Sequence, residues 1–391
     1  MKKVSIILVL ILSLYNCKNE VENSQISSQN STNENDSWHF PHFTKVDSVN
    51  PILSPSDKLS FLDPILKDSV KWEARNVLNP TAVVKDGKIH LLYRAQDIQG
   101  TSRIGLAISE DGIHFEKQNE PIFFPAMDSL KSLEWNFQKK DNHKINSDKN
   151  ITLFDGVEDP RIIETSDGNY LMTYTSYDGK TARLCSASSN NLKEWTKHGP
   201  ILKDSIYKNY WSKSGAVIAE RTNNKIIAKK IDGKYWMYFG DTDLYMASSE
   251  DLINWEPAIN EESGKLIEVL KPRPGYFDSR LVEPGPYALI TEKGILLIYN
   301  SSNAANFNDP NLPKFTYAAG QALFSKDQPY KEIARTEDYF IYPDKDYEKV
   351  GEVNEVCFVE GLVYFKDKWF LYYGTADSKI AVAIYDGDFL K

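Results

Sequence analysis

The chain has 391 residues, a formal net charge of −9 and an aromatic content of 12%. This acidic balance excludes a nucleic-acid-binding protein, because nucleic-acid phosphates require faces rich in lysine and arginine. Beyond the N-terminal segment, no apolar stretch is long enough to span a bilayer.

The first 17 residues are typical of a bacterial lipoprotein signal peptide. Lys2 and Lys3 precede an apolar run over residues 4–14, which is too short for a transmembrane helix but suits a secretory signal. The run leads into Leu14-Tyr-Asn-Cys17, which resembles the bacterial lipoprotein processing site, so Cys17 is the predicted lipidated residue. An ordinary cleaved signal peptide with an incidental cysteine is the alternative.

Residues 18–45 are predicted to be a disordered polar tether, because residues 18–36 are rich in Asn, Ser and Glu and almost free of apolar side chains. A diacyl anchor followed by such a tether would hold the folded domain, residues 46–391, at a bacterial membrane. The expected location is the periplasm or the cell surface, with the lipid as the only membrane contact.

The rest of the chain contains five copies of one pattern. Each copy has a turn, an apolar and aromatic strand, and a second strand that in most copies reads approximately Ala-x-Ser-x-Asp. The paired segments are 87–94 with 104–115, 168–174 with 184–195, 233–239 with 244–255, 294–299 with 319–325, and 368–374 with 380–385. Repeats of strands with period-two alternation indicate a radial or stacked β architecture. We predict an all-β fold, a five-bladed β-propeller, in which five units around an axis bury the faces that one unit leaves open.

The cysteines and histidines give no support for a metal site. Cys185 and Cys357 lie singly in predicted strands and are expected to be buried free thiols, although a disulfide between them is possible. There is no Cys-x-x-Cys or His-x-x-x-His spacing, so neither a metal nor another cofactor is predicted.

Polar side chains occur at strand positions where a buried strand should be apolar. Since the innermost strands of a propeller converge on its axis, these side chains are expected to meet. They are Asn79, Arg94, Asp159, Arg161, Asp241, Asp243, Glu283 and Asp377. Carboxylates and guanidinium groups that bind hydroxyls, together with aromatic faces, form a typical sugar site.

A turn role is the alternative for any one of these residues, because Asp and Glu beside Gly or Pro often serve turns. Asp111 and Asp251 recur at the same place in two copies and are predicted turn residues. Asp159 and Glu283 do not recur, which favours a role in the site.

Four separated motifs resemble glycoside hydrolase family 130. They are Asn79-Pro80, Tyr93-Arg94, Gly156-Val-Glu-Asp-Pro-Arg161 and Tyr372-Tyr-Gly-Thr-Ala-Asp377. The resemblance covers nearly all of the chain from about residue 70. It implies a five-bladed propeller acting on β-mannosides with inversion, either as a phosphorylase or as a hydrolase of β-1,2-linked mannosides.

The resemblance also assigns roles to residues. It places the proton donor at Asp159 and contacts to the terminal mannose at Asn79, Arg94 and Asp377. Arg183 and Lys213 fall near the positions that hold phosphate in the phosphorylases; in a hydrolase they would bind hydroxyls of the leaving sugar. Arg161 is expected among the substrate-binding residues.

Two features favour water over phosphate as the nucleophile. Glu283 replaces a small-residue stretch of the phosphorylases, and Asn300 stands where they have a histidine. A carboxylate beside a phosphate dianion is costly in a poorly solvated cleft, whereas it can activate water for inversion. Outside the inner membrane, moreover, a sugar phosphate product would be lost.

The predicted mechanism is therefore hydrolysis of manno-oligosaccharides, most simply β-1,2-linked ones. Asp159, with a pKa raised by burial, is the acid, and Glu283 is the base. Asp241 is the second candidate base, and Glu360 is a third carboxylate that binds substrate. The alternatives are a β-mannoside phosphorylase, a tethered glycan-binding propeller without catalysis, and a propeller glycosidase acting on arabinosides or xylosides.

Overall fold

The computed structural model describes residues 37–139 and 152–390. The predicted signal peptide, Cys17 and residues 18–36 lie outside the described residues.

Over the described ranges the chain is nearly all β-structure, as predicted, with two one-turn helices, α1 (Lys131–Glu134) and α2 (Asp346–Lys349), and a 3-10 turn at Ser205–Tyr207. The strands are β1 (Thr44–Lys45), β2 (Phe61–Leu62), β3 (Ser69–Val70), β4 (Asn76–Lys85), β5 (Lys88–Gln96), β6 (Thr101–Ser109), β7 (Glu116–Lys117), β8 (Asp155–Glu164), β9 (Tyr170–Tyr177), β10 (Ala182–Ser189), β11 (Thr196–Pro200), β12 (Ala216–Thr222), β13 (Lys225–Ala228), β14 (Tyr235–Phe239), β15 (Leu244–Ser249), β16 (Trp255–Pro257), β17 (Glu268–Leu270), β18 (Leu281–Pro284), β19 (Ala288–Ile290), β20 (Ile295–Ser302), β21 (Tyr317–Phe324), β22 (Glu332–Arg335), β23 (Cys357–Phe365), β24 (Lys368–Thr375) and β25 (Lys379–Tyr385).

Most strands belong to five antiparallel groups. The groups are β4-β5-β6-β7, β8-β9-β10-β11, β12-β14-β15-β16, β18-β20-β21-β22 and β23-β24-β25-β1. The predicted strand pairs of all five sequence copies are present as the central pairs β5–β6, β9–β10, β14–β15, β20–β21 and β24–β25. Parallel pairings of β6 with β8, and of β12 with β19, connect neighbouring groups.

The central strands are buried on both faces because the groups pack against one another. All eight residues of β20 are buried, and β24 is buried from its second residue onward. This explains why these segments form almost continuous apolar and aromatic runs instead of alternating with polar residues. The apolar side chains between the groups form the core.

The folded unit begins earlier than predicted. It extends from Trp38, whereas the predicted tether extended to residue 45. Phe40 is 1% exposed and stacks on Phe389 with ring centroids 4.0 Å apart. β1 pairs with β25, so the fifth group joins the two ends of the folded unit. The ring of Phe40, its backbone hydrogen bonds with the side chain of Gln321 and the pairing of β1 attach this segment to the fold.

A buried tyrosine occupies the same place in the second strand of every group. In four groups its hydroxyl donates to a buried carboxylate, at 2.8–3.0 Å, and a lysine or arginine from the outermost strand pairs with that carboxylate. The four sets are Glu73–Tyr93–Lys117, Glu134–Tyr174–Lys197, Asp278–Tyr299–Arg335 and Glu348–Tyr373–Lys45. In the third group Tyr238 donates instead to the carbonyl of Pro329, at 2.7 Å. Each set therefore connects the second strand of its group to the outermost strand. The buried carboxylate is stabilised because it has both a hydrogen-bond donor and a cation beside it.

The recurring aspartates serve turns, as predicted. Asp111 Oδ1 accepts from the backbone N–H groups of Ile113 and His114, and Asp251 does the same for residues 253 and 254. The ionised carboxylates accept these hydrogen bonds, which lowers the pKa of both residues. At Asp111 partial burial acts in the opposite direction but is outweighed. These residues stabilise the scaffold.

The described cysteines are buried free thiols, as expected for Cys185 and Cys357. Within residues 37–139 and 152–390, no helix has the length and apolar character needed to cross a membrane.

Candidate active site

The first strand of each group is interrupted at a polar residue followed by Pro or Gly. The pairs are Asn79-Pro80 in β4, Asp159-Pro160 in β8, Ser214-Gly215 before β12, Glu283-Pro284 in β18 and Glu360-Gly361 in β23. The pairing register shifts at three of them, in β4, β8 and β23. A bulge of this kind removes a residue from the ladder and redirects its side chain.

Three of these residues adopt a left-handed backbone, with φ of +48° at Asn79, +50° at Asp159 and +55° at Ser214. Such a conformation is uncommon for residues other than glycine and costs free energy, which the surrounding structure must supply. It recurs in three groups at the point where their side chains meet, so part of the backbone strain of the fold lies at the candidate site.

Asp159 lies at the centre of a charged hydrogen-bond network. Its Oδ1 accepts from Asn79 Nδ2 at 2.7 Å and from Arg94 Nη1 at 3.0 Å, and Lys213 Nζ is 3.9 Å from its Oδ2. Burial alone would raise the pKa of Asp159, but the charges of Arg94 and Lys213 outweigh burial and lower it to about 2. The predicted upward shift is therefore wrong, because the cations that reach this carboxylate outweigh its desolvation.

Glu158, the neighbour of Asp159, also belongs to the site, although it is not among the residues predicted from the sequence. It accepts from Arg94 Nη2 at 2.6 Å and from Ser102 Oγ at 3.2 Å. Burial raises its pKa despite the charge of Arg94. Because the break in β8 falls directly after Glu158, two consecutive acidic side chains reach the same guanidinium group, and the adjacent Glu-Asp pair was the sequence signal.

Glu283 is buried in a different charge environment. The hydroxyl of Ser214 donates to its Oε1, and Arg161 Nη2 lies 3.9 Å from the same oxygen. Burial raises the pKa of Glu283 to about 7, although Lys213 and Arg161 both lower it. Glu283 can therefore exchange a proton near neutral pH, whereas Asp159 is held ionised.

Arg161 connects the strands of these two carboxylates. It donates to the backbone carbonyls of Asp159, Pro284 and Gly285 at 2.8–3.1 Å. Its Nη2 also lies 2.9 Å from Glu360, whose pKa is raised well above the usual range by complete burial. Since its donors are directed at the backbone, Arg161 holds the site together and offers little to a substrate.

Asn300 has a similar bridging role. Its side-chain amide donates to the carbonyl of Val359 at 2.9 Å and accepts from the N–H of Val359 at 2.7 Å. These bonds connect β20 to β23 beside Glu360.

A cavity of about 350 Å³ opens beside this network. Its charged lining residues are Arg94, Glu158, Lys213, Glu352 and Asp377, and Trp211 is among its aromatic residues. Burial raises the pKa of Asp377 to about 6, against the opposing charge of Arg94. A larger groove of about 620 Å³ lies at the turns around residues 165–171, 188–196 and 250–253, away from these groups.

The structure brings together all but two of the predicted site residues. Asn79, Arg94, Asp159, Arg161, Lys213, Glu283, Glu360 and Asp377 form a single network of contacts and charges. Asp241 interacts electrostatically with Lys213 and Glu283, and its Oδ2 accepts from Trp211 Nε1 at 2.6 Å.

Asp243 and Arg183 are the exceptions. The charged groups that act on Asp243 are Glu268 and Lys271, which lie outside the network. Arg183 is also bound elsewhere. It donates to Asp178 at 2.9 Å and to the carbonyl of Lys208 at 2.9 Å, and it lines a separate cavity of about 290 Å³. The predicted contact with substrate is therefore not supported by its position. Asp178, five residues away, binds this guanidinium group locally.

The arrangement is suited to acid–base chemistry on a polar, uncharged ligand. Buried carboxylates with pKa values from about 2 to about 7 stand around three cations. Groups whose environments separate their pKa values in this way are the usual acids and bases of an active site.

Comparison with known proteins agrees with this chemistry. A family model described as β-1,4-mannooligosaccharide phosphorylase matches residues 48–390. A 1,2-β-oligomannan phosphorylase of Thermoanaerobacter sp. (strain X514) is 30% identical over 334 residues, which cover 82% of this chain and 94% of that protein.

Solved structures are more similar in sequence. One, described with the words "the GH130 family of mannoside phosphorylases contains glycoside hydrolases that target beta-1,2 mannosidic linkages in Candida mannan", is 44% identical with a TM-score of 0.83 and covers 90% of this chain and 95% of that one. A glycosyl hydrolase from Bacteroides ovatus is 43% identical with a TM-score of 0.82, covering 89% and 94%.

Proposed function

The chain belongs to glycoside hydrolase family 130, a family of enzymes that act on mannosides, and we propose that it hydrolyses β-mannosidic linkages with inversion, those of β-1,2-linked manno-oligosaccharides above all. The observation that carries the proposal is Glu283, a buried carboxylate with a pKa raised to about 7 within the Asp159 network. An inverting hydrolase needs a second carboxylate, able to ionise near neutral pH, to activate water.

Similarity supports hydrolysis as well. The chain is 44% identical to the structure described as a family 130 glycoside hydrolase acting on β-1,2 linkages, against 30% for the oligomannan phosphorylase. Phosphorolysis is the competing function, since the family model carries that activity in its description.

We assign the base role to Glu283. When it is ionised, it can take a proton from a water molecule that attacks the anomeric carbon on the face opposite the leaving group. Ser214 orients the carboxylate through its hydroxyl, and Arg161 fixes the backbone directly after it. As the water oxygen bonds to the anomeric carbon, its proton passes to Glu283 and the bond between that carbon and the glycosidic oxygen breaks.

The acid role falls to Asp159, although the charges of Arg94 and Lys213 favour its ionised form. Arg94 and Asn79 stabilise that charge, and both are groups that a sugar hydroxyl can bind. A substrate that takes over these two hydrogen bonds removes the contacts that lower the pKa of Asp159. The carboxylate then gains a proton, for which Glu360 is the source because burial raises its pKa and favours its protonated form. Asp159 passes that proton to the glycosidic oxygen, directly or through a sugar hydroxyl.

The arrangement of strands fits a five-bladed propeller, which we propose as the architecture. Five antiparallel groups each supply one polar break, and the side chains at these breaks contact one another or their neighbours in the site. Convergence of five first strands on one axis accounts for this meeting of residues that are up to about three hundred positions apart.

We further propose that Cys17 carries the lipid anchor and that the enzyme works at a membrane surface in the periplasm or outside the cell. Labelling with a palmitate analogue in a bacterial host tests this proposal: Cys17→Ser should abolish the label, and a labelled Cys17→Ser variant would contradict it.

The deciding experiment is product analysis on β-1,2- and β-1,4-mannobiose, with and without inorganic phosphate. We expect free mannose at the same rate in both conditions, released first as the inverted α-anomer and faster from the β-1,2-linked substrate. Mannose 1-phosphate formed only with phosphate would establish phosphorolysis instead. Binding without any product would indicate a glycan-binding protein.

A further inference from the structure

Trp211 is exposed at the cavity and yet held in place. Its indole is 46% exposed, while its Nε1 donates to Asp241 Oδ2 at 2.6 Å. Tyr177 meets it edge to face, with ring centroids 6.2 Å apart, and Lys213 Nζ lies 5.7 Å from its ring centroid. The ring of Trp211 is therefore exposed to solvent but held in one orientation by three neighbours, which is a suitable arrangement for binding a ligand.

The cavity joins buried charged groups to an exposed part that contains the ring of Trp211 beside Glu352 and Val353. Arg94, Glu158 and Asp377 line it together with Trp211, and the first two contact each other and the Asp159 network. A sugar ring that binds these charged groups leaves the next ring of an oligosaccharide near the exposed end. An aromatic face suits the C–H face of such a ring, because stacking buries apolar area while the hydroxyls stay hydrated.

The position of Asp241 matches a supporting role. The carbonyl of Thr242 accepts from the N–H of Val282 at 3.1 Å, so the Asp241 loop is attached to the strand of Glu283. The loop of Asp241 thus connects the rim of the cavity to the strand of Glu283. The Oδ2 atom of Asp241 accepts the hydrogen bond from the indole of Trp211.

We propose that Trp211 is the stacking platform for the sugar on the leaving-group side and that Asp241 is its positioning residue. The identity of the ligand as a mannoside rests on the proposed function. The proposal moves Asp241 from the role of alternative base to that of orienting an aromatic ring.

The test compares Trp211→Ala, Trp211→Phe, Asp241→Asn and Asp241→Ala on β-1,2-mannobiose and on methyl β-D-mannoside. Mannose release is measured over a range of substrate concentrations, so that KM and kcat are obtained separately. Tyr330→Ala is the matched control, because it truncates an aromatic side chain that is 53% exposed, in the β21–β22 turn outside the cavity.

We expect Trp211→Ala to raise KM for mannobiose about tenfold, since roughly one sugar face loses its apolar contact, with a much smaller change in kcat. Methyl β-D-mannoside has no second ring, so its kcat/KM should fall at most about threefold. Trp211→Phe should recover most of the loss. Asp241→Asn should be milder than Asp241→Ala, because an amide oxygen still accepts the indole N–H.

Two outcomes would overturn the platform. One is an Asp241→Asn variant without turnover but with unchanged KM, which is the behaviour of a base. The other is an equal loss of kcat/KM on both substrates in Trp211→Ala.

If the wild-type enzyme cleaves no mannoside, with or without phosphate, the proposed function fails by itself. The platform is then tested by calorimetric titration with β-1,2-mannobiose. Binding at least tenfold weaker in Trp211→Ala supports it, and equal affinity, or no binding by either protein, overturns it.

Discussion

The hydrogen bond from Ser214 to Glu283 should set the pH at which the enzyme becomes active. Glu283 works as a base only when ionised, and its pKa is raised to about 7. Below that pH, kcat/KM should therefore fall about tenfold for each pH unit. Ser214 is 1% exposed and donates to the carboxylate, so it favours the ionised form.

Removal of the Ser214 hydroxyl should shift the acidic limb of this pH profile, where kcat/KM falls, to higher pH. A hydrogen bond to a charged group contributes about 1.5–3 kcal/mol, and the protonated acid retains part of it, which leaves a difference of about 1.4 kcal/mol or one pKa unit. The limb should move from about pH 7 to about pH 8. Activity at pH 6 should then drop about tenfold, while activity above pH 9 stays close to that of the wild type.

The assay is kcat/KM for β-1,2-mannobiose between pH 5 and 9.5 in Ser214→Ala and Ser214→Gly. Glycine accepts the φ of +55° at this position, so it removes the hydroxyl without adding backbone strain. Ser212→Ala is the matched control, because its buried hydroxyl accepts from the N–H of Leu184 and does not contact Glu283. A wild-type limb near pH 4.5, or a limb that stays in place in both Ser214 variants, would refute the reasoning.

Four further substitutions test the site network and the carboxylate sets of the scaffold. Asp159→Asn should lower kcat by about 10²–10⁴ with unchanged circular dichroism, and turnover within tenfold of wild type would remove it from the acid role. Arg161→Met should lower the free energy of unfolding in urea by about 3–5 kcal/mol, because it leaves a buried acid and three carbonyls without their partner; a loss below about 1 kcal/mol would contradict the bridging role. Tyr299→Phe should cost about 1–3 kcal/mol by the same measurement, since its partner is a buried carboxylate. Tyr238→Phe, whose hydroxyl bonds a carbonyl, should cost less, and the reverse order would be inconsistent with the role of the carboxylate sets.

The strands could be predicted because each is encoded locally. The central pairs β5–β6 and β24–β25 follow directly from short apolar runs separated by turns. The carboxylate sets could not be found this way, since their members come from distant parts of the chain. Lys45 and Glu348, for example, are 303 residues apart in sequence and form one buried ion pair.

Most residues of the site could be predicted from the sequence, but their ion pairs and protonation states could not. A polar residue before Pro or Gly in the first strand of a group marked Asn79, Asp159 and Glu283. The sequence did not show which cation reaches which carboxylate. Arg94 reaches Asp159 and lowers its pKa, whereas Asp178 engages Arg183 and keeps it out of the network. Side-chain pairing over distances of a few ångströms decided both points.

The charges of the site network also provide a test that distinguishes hydrolysis from phosphorolysis. The network holds six carboxyl groups against three cations: Glu158, Asp159, Asp241, Glu283, Glu360 and Asp377 against Arg94, Arg161 and Lys213. An ionised Glu283 would repel phosphate by about 4 kcal/mol per pair of unit charges at 4 Å and an effective dielectric of 20. A protonated Glu283 would not, and at a pKa of about 7 protonation costs little. Phosphorolysis should therefore strengthen as the pH falls through 7, because phosphate binds the protonated site. Hydrolysis should weaken over the same interval, because the base is lost. The sign of the pH dependence near neutrality thus distinguishes the two nucleophiles independently of product identity.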